Sequence, residues 1–180
     1  MKNTELYALR YPIGEFNPKE NYSSGELNGY ISSIETFPEK IKEAVTGMND
    51  SQLDTPYRPD GWSVRRVVHH VVDSHVNCYC RFKLALTEDN PTIRPYNEAD
   101  WAELPEAKTG PVDPSLEFLD ILHKKLIITI KNIKTEQYKR TLFHPESKLK
   151  MTIENLLHLY GWHCQHHLAH IINLKKEKNW

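Results

Sequence analysis

Four of the ten histidines in this 180-residue chain crowd into one stretch, GWHCQHHLAH at 161–170. Near neutral pH an imidazole serves as a metal ligand, a general acid or base, or a hydrogen-bonding group. The flanking Leu156, Leu157, Tyr160, Ile171 and Leu174 have the pattern of a buried helix face, where an imidazole needs a partner. Along that face Ile153, Leu156, Tyr160, His163, His167, His170 and Leu174 follow at intervals of three or four, so the histidines continue an apolar seam. His163 and His167 sit about 40° apart around a helix and one turn along it, which lets two rings converge on one ion. His166 falls to one side, and the spacing by itself also permits other pairs, His166 with His170 among them. Burying two imidazoles without a partner costs on the order of several kcal/mol, a penalty that an ion removes.

A third ligand has to come from a facing helix, and VVHHVVDSH at 67–75 offers His69, His70 and His75. His70 shares its face with Val67, Ser74, Asn77 and Arg81, a half-polar lining suited to a site inside a bundle. His69 shares its face with Arg65, Arg66 and Asp73, so His70 is the better candidate. His75 reads as a packing or pocket residue. Asp73 has two readings: it orients a ligand imidazole from behind, or it pairs with Arg65 or Arg66. Arg81 either binds an anionic group or makes a structural ion pair. Three neutral imidazoles on a divalent ion leave positions open, as catalytic sites do. Imidazole suits zinc, nickel, copper and iron alike; zinc is the first expectation and nickel the second.

The elements that must carry these residues are helical. Ile31, Ile34, Phe37, Ile41 and Val45 predict a helix over about 26–47, with Pro38 kinking or dividing it. Ser63 caps a second over about 64–87, Pro114 suits the first turn of a third over about 114–133, and Thr152 caps a fourth over about 153–176. RTLFHPESKLKMT alternates as a short β-hairpin does. The expected fold is therefore all-α, a four-helix bundle with a long connecting loop and a short hairpin. Residues 1–25 read as an irregular arm within one domain spanning 1–180. The four-proline connection after the second helix is long enough to expect a function of it. It supplies Glu88, Asp89, Glu98 and Asp100 as carboxylates for a general base, and nothing in their spacing ranks them. Trp62 and Trp101 read as core or loop anchors.

Other chemistries lack their residues. There is no H-E-x-x-H, no paired E-x-x-H on two helices, no G-x-S-x-G and no phosphate-cradling glycine loop. The 23 basic and 24 acidic residues nearly cancel, which gives no field for nucleic acid or an anionic membrane. No apolar run approaches a bilayer span, and Met1-Lys2-Asn3-Thr4 does not open a signal peptide. Three cysteines, an odd number without metal-finger spacing, fit a reduced, cytoplasmic protein.

The long blocks LDTPYRPDGWSVRRVVHHVVDSHVNCYCRFKLALTEDNPTIRPYNEADWAEL and LYGWHCQHHLAHI, with LRYPIGEF upstream and HPE between them, closely resemble the YfiT-like metal-dependent hydrolases, a branch of the DinB superfamily. The resemblance covers nearly the whole chain. It implies a four-helix DinB-type bundle, usually a homodimer, with a divalent metal held by three histidines. Placed on this sequence, the ligand in VVHH is His70 and the last-helix pair is His163 and His167. HLAH stands where many members carry H-R-G-Q, which puts His170 outside the usual ligand set. The implied activity is hydrolysis of a small molecule. Related bundles transfer low-molecular-weight thiols such as bacillithiol, which keeps a thiol S-transferase open, and a third reading is a bundle whose ion only staples two helices.

Overall fold

The computed structural model describes residues 3–180; Met1 and Lys2, half of the opening read above for a signal peptide, lie outside them. Among the described residues eight α-helices follow in order: α1 (Asn3–Arg10), α2 (Ser24–Val45), α3 (Asp50–Leu53), α4 (Val64–Thr87), α5 (Glu98–Trp101), α6 (Pro105–Thr109), α7 (Asp113–Lys131) and α8 (Ile153–Lys178). Strands β1 (Thr141–His144) and β2 (Leu149–Thr152) pair antiparallel between the last two, Thr141 opposite Thr152 and His144 opposite Leu149. The four long helices form the bundle.

Their starts follow from capping chemistry. Ser23 closes a capping box with Glu26 on α2, Ser63 accepts from the Arg66 N–H on α4, and Thr152 closes a box with Asn155 on α8. Pro38 lies buried inside α2, which runs through it from Ser24 to Val45. The apolar stripes meet in one core built around Ile34, Phe37, Phe82, Leu119, Leu126, Leu156 and Tyr160.

The connectivity departs from the common up-down arrangement. Both α2 and α4 pack against α7 and α8. Contacts between α2 and α8 advance together, Tyr30 beside Gly161, Ser33 on Gln165 and Ala44 on Lys175, so these two run parallel. Contacts from α4 to α7 also advance together, His69 on Ser115 and His75 on His123. Contacts from α4 to α8 run in opposite senses, His70 facing His163 and Arg81 facing Tyr160. A parallel α4–α7 pair obliges the chain to return the full length of α4, about 36 Å at 1.5 Å per residue. That return is the long connection at 88–112. It is not structureless: the Ile93 N–H donates to the Phe143 carbonyl on β1, the Phe143 N–H donates to the Pro91 carbonyl, and α5 and α6 follow.

One expectation is corrected. The arm at 1–25, read as irregular, contains helix α1. The turn residues Pro12 and Gly14 (φ 83°) follow this helix rather than prevent it, and the Tyr7 ring packs at a tilt against Tyr11, centroids 5.1 Å apart.

Candidate metal centre

α4 and α8 are antiparallel neighbours, so a half-polar face of one opposes the histidine seam of the other. His70 from α4 and His163 and His167 from α8 each bring a ring nitrogen to the same place, all within 4.8 Å of one another. His163 Nε2 and His70 Nε2 are 3.3 Å apart. Two donors at about 2.0–2.1 Å from a tetrahedral ion stand about 3.3–3.4 Å from each other. The Nδ1 of His167 is sealed from solvent without a hydrogen-bond partner. A donor set of three imidazoles, closely spaced and with an unpaired buried nitrogen, fits a divalent cation of the zinc or nickel kind.

Electrostatics keep the rings in the ligand form. Burial pushes His70 down to about 4 and holds His163 and His167 well below the ordinary histidine value, with the neighbouring rings adding to the effect. All three are neutral at pH 7, as ligation requires.

Two cavities open on the cluster. One of about 320 Å³ reaches His70, His163 and His167 between Tyr57, Trp62 and Trp162. The other, of about 520 Å³, reaches His163 beside Arg81, Tyr96, His144 and Tyr160. Glu98, exposed at the start of α5, borders both, which sets it apart from Glu88, Asp89 and Asp100. In the larger cavity Arg81 donates to the Tyr160 hydroxyl at 3.0 Å and faces His144 Nε2 at 3.5 Å. No carboxylate among the described residues pairs with Arg81, so the structural ion pair expected as one of its two readings does not form. Burial raises Tyr160 far above the ordinary phenol range and Tyr96 to about 12, so both remain neutral hydrogen-bonding groups.

The remaining expected residues are placed as follows. His69 turns away from the centre, its Nδ1 2.8 Å from Ser115 Oγ and its Nε2 3.5 Å from the Gly110 carbonyl oxygen. Asp73 makes neither expected contact: Arg65 pairs with Asp50 and Asp54, and Arg66 with Glu103. Burial, with Glu106 nearby, raises Asp73 to about 6. His166 stacks on Trp162 at 4.3 Å and His170 on Tyr57 at 3.9 Å. Trp62 packs on His70 at 4.6 Å, so it is part of the centre's wall as well as an anchor, while Trp101 packs on Tyr96 at 4.7 Å. His75 stands directly behind His163, with Nε2 at 3.3 Å from its Nδ1. The sequence gives no prominence to His123, which lies behind His75; its one signal is its position in the apolar stripe, four after Leu119 and three before Leu126.

The DinB superfamily model matches residues 33–171, most of the bundle and all three clustered histidines. The chain belongs to the DinB superfamily. This DinB chain is 48% identical over 172 residues to a Bacillus subtilis protein named "Putative metal-dependent hydrolase YfiT", covering 96% of the chain and 97% of that protein. It is 49% identical over 173 residues to a Bacillus cereus (strain B4264) protein also named a "Putative metal-dependent hydrolase", covering 96% and 98%. Among solved structures it is similar to one described as "YfiT from Bacillus subtilis is a probable metal-dependent hydrolase with an unusual four-helix bundle topology". That match has a TM-score of 0.93 at 48% identity and covers 96% of this chain and 99% of the other. The mixed parallel and antiparallel helix order described above is the topology of this DinB fold. Among the described residues no helix is long and apolar enough to cross a membrane.

Proposed function

We propose that this DinB protein is a metal-dependent hydrolase acting on a small molecule, with one divalent ion per subunit held by His70, His163 and His167. The observation that carries the reading is the meeting of three neutral imidazoles from two helices at the junction of two cavities. The names of its relatives agree with it. Zinc is the first choice of ion and nickel the second. A cytoplasmic homodimer is the setting we assign, which three free cysteines suit.

When bound, the ion supplies Lewis acidity, polarising a substrate carbonyl or phosphoryl group and easing deprotonation of water. The rest falls to the chain. His70, His163 and His167 would hold the ion, and the two cavities that reach them would admit substrate. Arg81, steadied by Tyr160, and the neutral hydroxyls of Tyr96 and Tyr160 offer hydrogen bonds to a substrate in the larger cavity. Trp62 and Trp162, beside the smaller cavity, shield the histidines with apolar surface.

The test is a panel of small esters, amides and phosphoesters, assayed with the metal-loaded protein, with and without bacillithiol-type thiols, beside His163→Ala. Metal-dependent turnover without thiol, lost in the variant, supports hydrolysis. Turnover of an electrophile that requires thiol would replace hydrolysis by S-transfer. No metal-dependent turnover, with an ion that raises only the melting temperature, would leave a structural staple.

A further inference from the structure

A neutral imidazole has one N–H and one lone pair, so histidines hydrogen-bonded end to end take their tautomers from whatever stands at the end of the row. Such a row runs inward from the candidate centre. His163 Nδ1 is 3.3 Å from His75 Nε2, His75 Nδ1 is 2.8 Å from His123 Nε2, and His123 Nδ1 is 2.7 Å from the Ile34 carbonyl oxygen. A carbonyl only accepts, so His123 Nδ1 donates. His123 Nε2 then carries the lone pair and accepts from His75 Nδ1, and His75 Nε2 accepts from His163 Nδ1. His163 is left with its lone pair on Nε2, the atom that faces His70. His75 is fully buried and His123 is 2% exposed, so no water competes for these bonds. Phe37 stacks on His75 at 5.5 Å and the two inner rings stack at 4.7 Å, which fixes their planes.

We propose that His75 and His123 are positioning residues that lock His163 in the Nδ1–H tautomer and aim its Nε2 at the ion. The proposal rests on the reading of His163 as a ligand. Its logic is that of carboxylate or carbonyl groups behind metal-bound histidines, extended through two further rings. The row is a lock and not a proton relay. Passing each proton one bond inward would end at the Ile34 carbonyl, which cannot keep one.

Nitrogen-15 imidazole spectra of the full-length, metal-free protein read the tautomers directly. The lock requires His163, His75 and His123 each to show Nδ1–H, the form less favoured by a free imidazole. A His163 with Nε2–H, or one averaging between tautomers, overturns it. Zinc affinity by competition with a chelator supplies the second measurement. His123→Phe keeps the volume and removes the acceptor for His75, and zinc binding should weaken about 10–100-fold. His123→Gln retains an acceptor and should return to within about threefold of wild type. Equal zinc affinity in the Phe variant and wild type also overturns the proposal. If the Phe variant does not fold, the wild-type spectrum alone decides. If the protein takes up no zinc, the ligand reading fails while the tautomers remain measurable.

Discussion

Behind His163, the rings of His75 and His123 sit in a continuous row of hydrogen bonds that ends on a backbone carbonyl. In front of it, His166 and His170 are held by aromatic faces, Trp162 and Tyr57, and their Nδ1 atoms are buried without a partner. His170 keeps a single bond, from Nε2 to the Arg10 carbonyl at 3.2 Å. Both groups belong to one crowded cluster, and burial lowers the pKa on both sides, to about 4 for His123 and about 3 for His166. The difference lies in what each arrangement determines. Hydrogen bonds fix the direction of a nitrogen; stacking fixes only the plane of a ring and excludes water. The inner row therefore controls geometry at the candidate centre, and the outer pair closes it.

The largest contrast should appear with pH. His123 titrates near 6.5 when unfolded and near 4 when folded, so the folded state resists protonation. Its contribution is complete above pH 6.5 and is lost as pH falls through 4, an effect of up to about 3 kcal/mol. Urea denaturation of the metal-free protein should show stability falling over that window, with a flatter profile in His123→Phe. An equally steep profile in the variant would remove His123 from the account.

Next in size is the packing that holds the inner row in place. A Cβ added at Gly161 would meet Tyr30 at 2.9–3.0 Å, backbone included, so α8 touches α2 there without room for a side chain. Gly161→Val should cost about 1–3 kcal/mol by overpacking, and should loosen zinc binding because His163 lies two residues on. Thermal melts and chelator competition would check both. A variant as stable as wild type would show that the approach of α8 to α2 is soft.

The smallest effect is expected at the outer pair. His170→Phe preserves the stack on Tyr57 and eliminates a buried unpaired nitrogen while freeing the Arg10 carbonyl. Stability should change by less than about 1 kcal/mol, as gain and loss offset. Zinc affinity should stay within about threefold of wild type. A tenfold loss of affinity would make His170 part of the centre and erase the distinction between the two sides.

Much of this fold is legible in the residues. The four long helices, their caps at Ser63 and Thr152, and the hairpin come from periodicity and local chemistry, which a sequence displays directly. The order of the helices does not, because parallel pairing of α4 with α7 is decided by contacts between distant segments. α1 escapes notice because turn residues soon after it mask two helical turns. At the candidate centre, the three histidines that come together stand out through spacing four apart on α8 and a half-polar face on α4. His123 gives no such sign: a lone imidazole in a leucine stripe looks like packing until a structure sets it 2.8 Å from another ring. The ion-pair reading of Asp73 fails for a related reason, since Arg65 and Arg66 find their partners on α3 and in the segments just after α3 and α5, whose courses are not local.

The central claim is that His70, His163 and His167 share one divalent ion. Elemental analysis of the purified protein, beside His70→Ala, His163→Ala and His167→Ala variants verified as folded, tests it most directly. We expect close to one equivalent of zinc or nickel in the wild type and a loss of at least about tenfold in each variant. No bound ion in the wild type after loading, or undiminished content in any of the three folded variants, would contradict it.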